Sequence, residues 1–168
     1  MFYINSIHKI RLALIIFAVT NLILLGCGQS DELAEAQRKN IIDTVTQTLR
    51  NYYNDMDKKG LLTEFNYLDS SKEFYWLPPG YSAAIDYKAV AAAIRANAAD
   101  YQSIKIEWDT LSVDALSNKL ARYTGRLRSK WTDTTGKSMN LTFVETGLLI
   151  KRENGWKLLS GQTAILAQ

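Results

Sequence analysis

Apolar and polar residues recur at a helical period in the first half of this chain and at a strand period in the second. From Asp31, Leu33, Ala36, Ile41, Ile42, Val45, Leu49, Tyr52, Tyr53 and Met56 keep one apolar face, which predicts a long amphipathic helix. Glu35, Arg38, Lys39, Asp43 and Arg50 take the opposite, solvent-facing side. Ser30 or Asp31 can cap its start, and Lys58-Lys59-Gly60 ends it with cations in the last turn and a glycine beyond. Leu61 to Leu68 is short and apolar, one more helical turn or a loop, and Asp69-Ser70-Ser71 breaks it. Glu73 to Leu77 reads as a short strand stopped by Pro78-Pro79-Gly80. Asp86 is placed to cap a second helix reaching Asp100, with Val90, Ala93, Ile94 and Ala98 inward.

The period becomes two from Ser103. Ile104, Ile106 and Trp108 alternate with Lys105 and Glu107, and after Asp109 the apolar set moves to Leu111, Val113 and Ala115. Such a one-residue phase slip predicts a β-bulge. Lys119 to Thr132 places Ala121, Tyr123, Gly125, Leu127 and Trp131 on one face and Arg122, Thr124, Arg126, Arg128 and Lys130 on the other. Asp133-Thr134-Thr135-Gly136 is a turn, and Met139 to Ile165 is a hairpin folded at Glu153-Asn154-Gly155. The expected fold is α+β: a cone-shaped, half-open antiparallel sheet of long curved strands packed on N-terminal helices.

The first 26 residues follow neither period. Met1 to Arg11 carry His8, Lys9 and Arg11 and no acid, and Leu12 to Leu25 is almost wholly apolar. A basic segment followed by an apolar run too short for a membrane span describes a signal peptide; a transmembrane anchor is the alternative. Leu24-Leu25-Gly26-Cys27 resembles the lipobox of bacterial lipoproteins, with Leu25 bulkier than the pattern favours. That resemblance implies cleavage before Cys27, acylation of its sulfur and new amine, and stable anchoring in a membrane. Gly28 and Gln29 follow Cys27 in place of the Asp of the common inner-membrane retention signal. The expected location is the bacterial cell envelope, on the periplasmic face of the outer membrane in a Gram-negative cell. The expected division is a signal peptide over 1–26, a lipidated tether over 27–30 and one domain over 31–168.

Processing would also change the chemistry. His8 is the only histidine and Cys27 the only cysteine, so the mature domain would lack both. Histidine-dependent nucleophilic catalysis, zinc sites of the Cys/His type and disulfides are then excluded, and no metal or cofactor is expected. The formal charge falls from +3 to +1 when Lys9 and Arg11 leave, so no nucleic-acid partner is expected. Asp55 and Asp57 lack the remaining ligands of a calcium loop.

Two stretches carry a second resemblance. Glu73-Phe74-Tyr75-Trp76-Leu77-Pro78-Pro79-Gly80 and Glu153-Asn154-Gly155-Trp156-Lys157-Leu158-Leu159, in this element order, resemble the nuclear transport factor 2-like superfamily, with its SnoaL-like polyketide cyclases and ketosteroid isomerases. The resemblance spans Asp31 to Ile165 and implies a cone with a deep pocket, often a dimer formed through the sheet. It implies no single activity. Relatives often carry a histidine on the last strand, in a slot that Gln162 would fill here.

The acid–base arrangement left open is a carboxylate with a phenol, as in ketosteroid isomerases. Glu145 is the acid, with Tyr53, Tyr75 or Tyr123 as its partner. It shares a face with Leu141, Phe143 and Leu149, but the other face, with Thr142, Val144, Leu148 and Ile150, is apolar too. Inward, burial would raise its pKa; outward, it would pair with Arg126 or Arg128. Tyr75 and Trp76 point to opposite faces, so only one can line the cone. Tyr53, Tyr75, Trp76, Tyr123, Glu145 and Gln162 are the candidate pocket residues, while Trp108, Trp131 and Trp156 are expected in the core. The Arg122, Arg126, Arg128 and Lys130 row is either a solvated face or an anion stripe. Three functions stay open: a lipid-anchored, non-catalytic binding domain for a small, partly apolar ligand; a carboxylate–tyrosine isomerase or cyclase; and an assembly protein dimerising through Val144, Leu148, Leu159 and Ile165.

Overall fold

The computed structural model describes residues 33–166; the leader, Cys27, the tether and the expected caps Ser30 and Asp31 lie outside the described residues. Helix α1 runs over Glu35–Lys59 and buries Ile41, Val45, Leu49, Tyr52, Tyr53 and Met56. Each large apolar side chain so buried contributes about 1.5–3 kcal/mol. The helix begins later than Asp31, and its N-cap is Ala34, which has no side-chain acceptor. A 3₁₀ helix, Leu61–Asn66, follows directly after Gly60.

Strand β1 is Tyr75–Leu77 and strand β2 is Ile85–Asp86, the latter without a counterpart in the predicted elements. Helix α2, Tyr87–Asn97, is capped by Asp86, whose carboxylate accepts from the Ala89 amide, and it buries Ala91 and Ile94. Four long strands complete the chain: β3 Tyr101–Ala115, β4 Leu120–Asp133, β5 Ser138–Arg152 and β6 Gly155–Ile165. They form a six-stranded sheet in the order β2-β1-β6-β5-β4-β3. The four long strands pair antiparallel as expected, and the short β1 joins β6 in parallel, so the whole sheet is mixed.

Strands β3 and β4 shift register between Trp108 and Thr110, where the phase slip lies. The bulge turns Asp109 outward, where it meets Arg126 at 3.4 Å and Arg128 at 2.5 Å; Asp114 meets Arg122 at 2.8 Å. Three of the four cations in the basic row thus face acids on their own sheet. Another shift lies in β6: Leu149 pairs with Leu158 but Leu148 pairs with Ser160, so Leu159 is the extra residue. Beyond it the inward positions become Gly161, Thr163 and Ile165, opposite Gly147, Glu145 and Phe143.

Two glycines let aromatic rings lie across the curved sheet. A Cβ on Gly147 would fall 2.9 Å from the Tyr123 ring, and one on Gly161 would fall 2.6 Å from the Trp76 ring. Both rings thereby lie close against neighbouring strands, Tyr123 reaching Glu145 on β5 and Trp76 reaching Thr163 on β6. Elsewhere, Asp69, only 3% exposed, accepts from Arg152 Nε at 2.6 Å and from the Ser71 amide at 2.8 Å. That pair ties the segment after the 3₁₀ helix to the β5–β6 hairpin.

Candidate functional site

Helices α1 and α2 and the 3₁₀ helix cover the concave face of the sheet and leave a cavity of about 420 Å³. Its walls are mostly apolar: Met56, Leu68, Phe74, Val90, Ile106, Leu127, Leu141, Phe143 and Leu158 line it with the rings of Tyr52, Tyr53, Trp76, Tyr101 and Trp131. The polar groups are few and sit together.

Glu145 projects inward from β5 and is 5% exposed. Tyr53 donates its hydroxyl to both carboxylate oxygens at 2.9 Å. The Tyr123 hydroxyl donates to Oε1 at 2.8 Å, and the Thr163 hydroxyl donates to Oε2 at 3.1 Å. Thr163 Oγ1 in turn accepts from Trp76 Nε1 at 3.2 Å. Burial pushes the Glu145 carboxyl above its usual range, against the three hydroxyls that favour its ionised form. Tyr53 and Tyr123 are raised well above the usual phenol range, first by burial and then by the negative field of Glu145.

A second carboxyl group faces the same cavity. Glu64, from the 3₁₀ helix, accepts at Oε2 from the Tyr52 hydroxyl at 2.7 Å, and Oε1 has no hydrogen-bond partner among the described residues. Burial raises its pKa to about 7; the Tyr52 hydrogen bond opposes the shift and the charge of Glu145 adds to it. Tyr52 and Tyr53 are neighbours on α1 with ring centroids 4.6 Å apart, so one turn of helix holds a phenol to each acid. Trp131 Nε1, also in the lining residues, is buried without a partner among the described residues.

Of the six pocket candidates, Tyr53, Trp76 and Glu145 line the cavity, and Tyr123 reaches Glu145 from behind the wall. Two are corrected. Tyr75 is 53% exposed, because its strand neighbour Trp76 takes the inward side. Gln162 is exposed on the outer face: the bulge at Leu159 reverses the alternation that Trp156 and Leu158 set, and Thr163 points in instead. The outward alternative for Glu145 is likewise replaced, since Arg126 and Arg128 are engaged by Asp109. Of the residues proposed for a dimer contact, Ile165 lines the cavity, while Val144 is exposed on the outer face. Glu64, Tyr52 and Thr163 are additions. The signal for Glu64 is a single acid in the short, largely apolar stretch Leu61 to Leu68. Among the described residues no three His, Cys, Asp or Glu side chains gather to hold a metal ion.

A helix-covered, unclosed sheet around an acid-bearing apolar cavity defines a cone-type α+β domain. The model of the SnoaL-like domain family matches residues 45–168, and the chain belongs to that family. No curated protein matches it in sequence. Among solved structures it is similar to a candidate dehydratase of the NTF2-like family from Streptomyces avermitilis, with 15% identity, TM-score 0.65 and coverage of 77% of this chain and 99% of that one. It is also similar to the hexachlorocyclohexane dehydrochlorinase LinA-type3 from Novosphingobium barchaimii, with 11% identity, TM-score 0.63 and coverage of 80% and 92%. An NTF2-like superfamily protein from Salmonella enterica shares 12% identity at TM-score 0.62, over 74% of this chain and 89% of that one. These likenesses establish the nuclear transport factor 2-like fold.

Proposed function

We propose that the domain binds a small, partly apolar ligand in the cavity and is held at the bacterial cell envelope by a lipidated Cys27. The observation that carries the binding reading is the cavity itself: about 420 Å³, walled by aromatic and aliphatic side chains around a compact polar cluster. This is the composition of a small-molecule site. Glu145 supports it as a fixed acceptor. Its oxygens are engaged by three hydroxyls, which suits a rigid recognition surface better than a free base. The binding test is a titration with N-phenyl-1-naphthylamine, an uncharged probe that brightens in apolar surroundings. Saturable brightening is expected in the native domain and its loss in Leu141→Trp, which fills the cavity; no brightening in either would refute the reading. For the anchor, Cys27→Ser should leave an uncleaved precursor without acyl label, and normal processing of that variant would refute it.

Acid–base catalysis is the second reading, and Glu64 is the observation that favours it. A carboxyl group with a pKa of about 7 and one unengaged oxygen is suited to proton transfer near neutral pH. The similar folds of a candidate dehydratase and a dehydrochlorinase are compatible with such proton chemistry. Turnover of an enolisable ketosteroid or polyketide ester that is lost in both Glu64→Gln and Glu145→Gln would replace the binding reading with this one.

A further inference from the structure

The charge inside the cavity narrows the ligand class. Both ionisable acids that line it, Glu64 and Glu145, carry the same sign, and the lining residues include no Lys, Arg or His. Arg95 of α2 is engaged elsewhere: its guanidinium lies 4.8 Å over the Phe65 ring and donates to the Ala91 carbonyl. Carboxyl groups in a low-dielectric enclosure without a counter-charge are costly, and any ligand that brings a positive charge relieves that cost. An anionic ligand would add to it.

The partners are placed for such a charge. Glu64 Oε1 is open while Oε2 is held by Tyr52, so an arriving N–H donor finds a free acceptor already oriented. Tyr52, Tyr53, Phe74, Trp76 and Tyr101 line the same cavity, and aromatic rings attract cations through their negative faces. Glu145, by contrast, already accepts from three hydroxyls and serves as a fixed acceptor in the wall.

Resting on the binding reading, we infer that the cavity takes an organic cation, an ammonium group on an apolar chain or ring, with the nitrogen at Glu64 and the apolar part against Leu127, Leu141 and Phe143. The test uses three ligands of one chain length and different charge: octylammonium, octan-1-ol and octanoate. Each displaces N-phenyl-1-naphthylamine from the native domain at neutral pH and low salt. Octylammonium should reach half-displacement at a concentration about tenfold below octan-1-ol, the size of one partly desolvated cation–carboxylate or cation–π contact, with octanoate weakest. Glu64→Gln should bring octylammonium and octan-1-ol to within about threefold of each other, and Glu64→Asp, which keeps the charge, should retain the preference. Equal displacement by all three, or a preference for octanoate, overturns the cation inference and leaves a site for apolar ligands. Failure of the probe and of all three ligands to bind overturns the binding reading and the inference together.

Discussion

Replacing Glu64 by Gln should stabilise the domain above neutral pH and leave it unchanged in mild acid. In the unfolded chain this carboxyl titrates near 4.5, and in the folded domain burial holds its pKa at about 7. The raised value means that the folded state keeps a proton the unfolded state has lost. Between these two values stability falls as pH rises; below the lower one the group contributes nothing, and above the upper one the whole penalty is present. The interval corresponds to about 3 kcal/mol at 1.36 kcal/mol per unit, and water entering the open cavity trims this to roughly 2 kcal/mol. Glutamine keeps an oxygen for the Tyr52 hydroxyl, which donates to Glu64 at 2.7 Å, so the hydrogen bond survives while the charge does not. Glu145, also raised by burial, is present in both proteins and largely cancels from the difference. Urea unfolding followed by tryptophan fluorescence should show the variant about 2 kcal/mol more stable near pH 8 and equal to the native domain near pH 4.5. A difference that does not change with pH, or a variant less stable at the higher pH, would refute the placement of Glu64 as a desolvated acid.

The other predictions concern the frame around that acid. Gly161→Ala should cost about 1–3 kcal/mol, because the added Cβ would sit 2.6 Å from the Trp76 ring and 2.5 Å from the Thr146 carbonyl; a thermal scan showing no loss would show that the ring moves aside freely. Arg152→Ala strips the buried Asp69 carboxylate of its charged partner and should lower the denaturant midpoint at neutral pH, measured by denaturant unfolding. Asp69 is held below the usual carboxylate range, the Arg152 and Ser71 hydrogen bonds outweighing the effect of burial, so this contribution should fade in acid as Asp69 protonates. Glu145→Leu leaves the Tyr53, Tyr123 and Thr163 hydroxyls without their acceptor and should destabilise by about 2–3 kcal/mol, whereas Glu145→Gln should recover most of that.

What could be read from the chain depended on whether a side chain marked the event. The bulge at Asp109 was legible because the residues on both sides alternate cleanly, so a change of phase shows as a change of register. The bulge at Leu159 was hidden. Leu158 and Leu159 are both apolar, and Gly161 marks neither face, so nothing showed that the alternation had reversed. Gln162 and Thr163 therefore exchanged roles. The parallel pairing of β1 with β6 was equally silent, since a three-residue strand carries no register signal. The facing of Glu145 could not be fixed from its own strand, where both faces are apolar; it is fixed by three hydroxyls from α1, β4 and β6 that converge only in three dimensions. Glu64 carries little signal in the sequence because an acid in a short helical turn ordinarily points to solvent, and here it lines the cavity.

The two acids of the cavity end with different characters, and partner number is the cause. Glu145 has three hydroxyl donors converging on two oxygens, one of them also bonded to Trp76, so removing or adding a proton there disturbs β1, β4, β6 and α1 together. Its oxygens are committed to the architecture of the wall. Glu64 has one donor and an open oxygen: on its six-residue 3₁₀ helix its carboxyl is bonded by Tyr52 alone among the described residues. Its protonation can change without rearranging the sheet. Two carboxyl groups in one apolar enclosure are thereby separated into a rigid acceptor and a responsive one, as environments separate paired acids generally. A ligand or a substrate that exchanges a proton or a charge with this cavity is therefore expected to do so at Glu64, with Glu145 setting the field it meets.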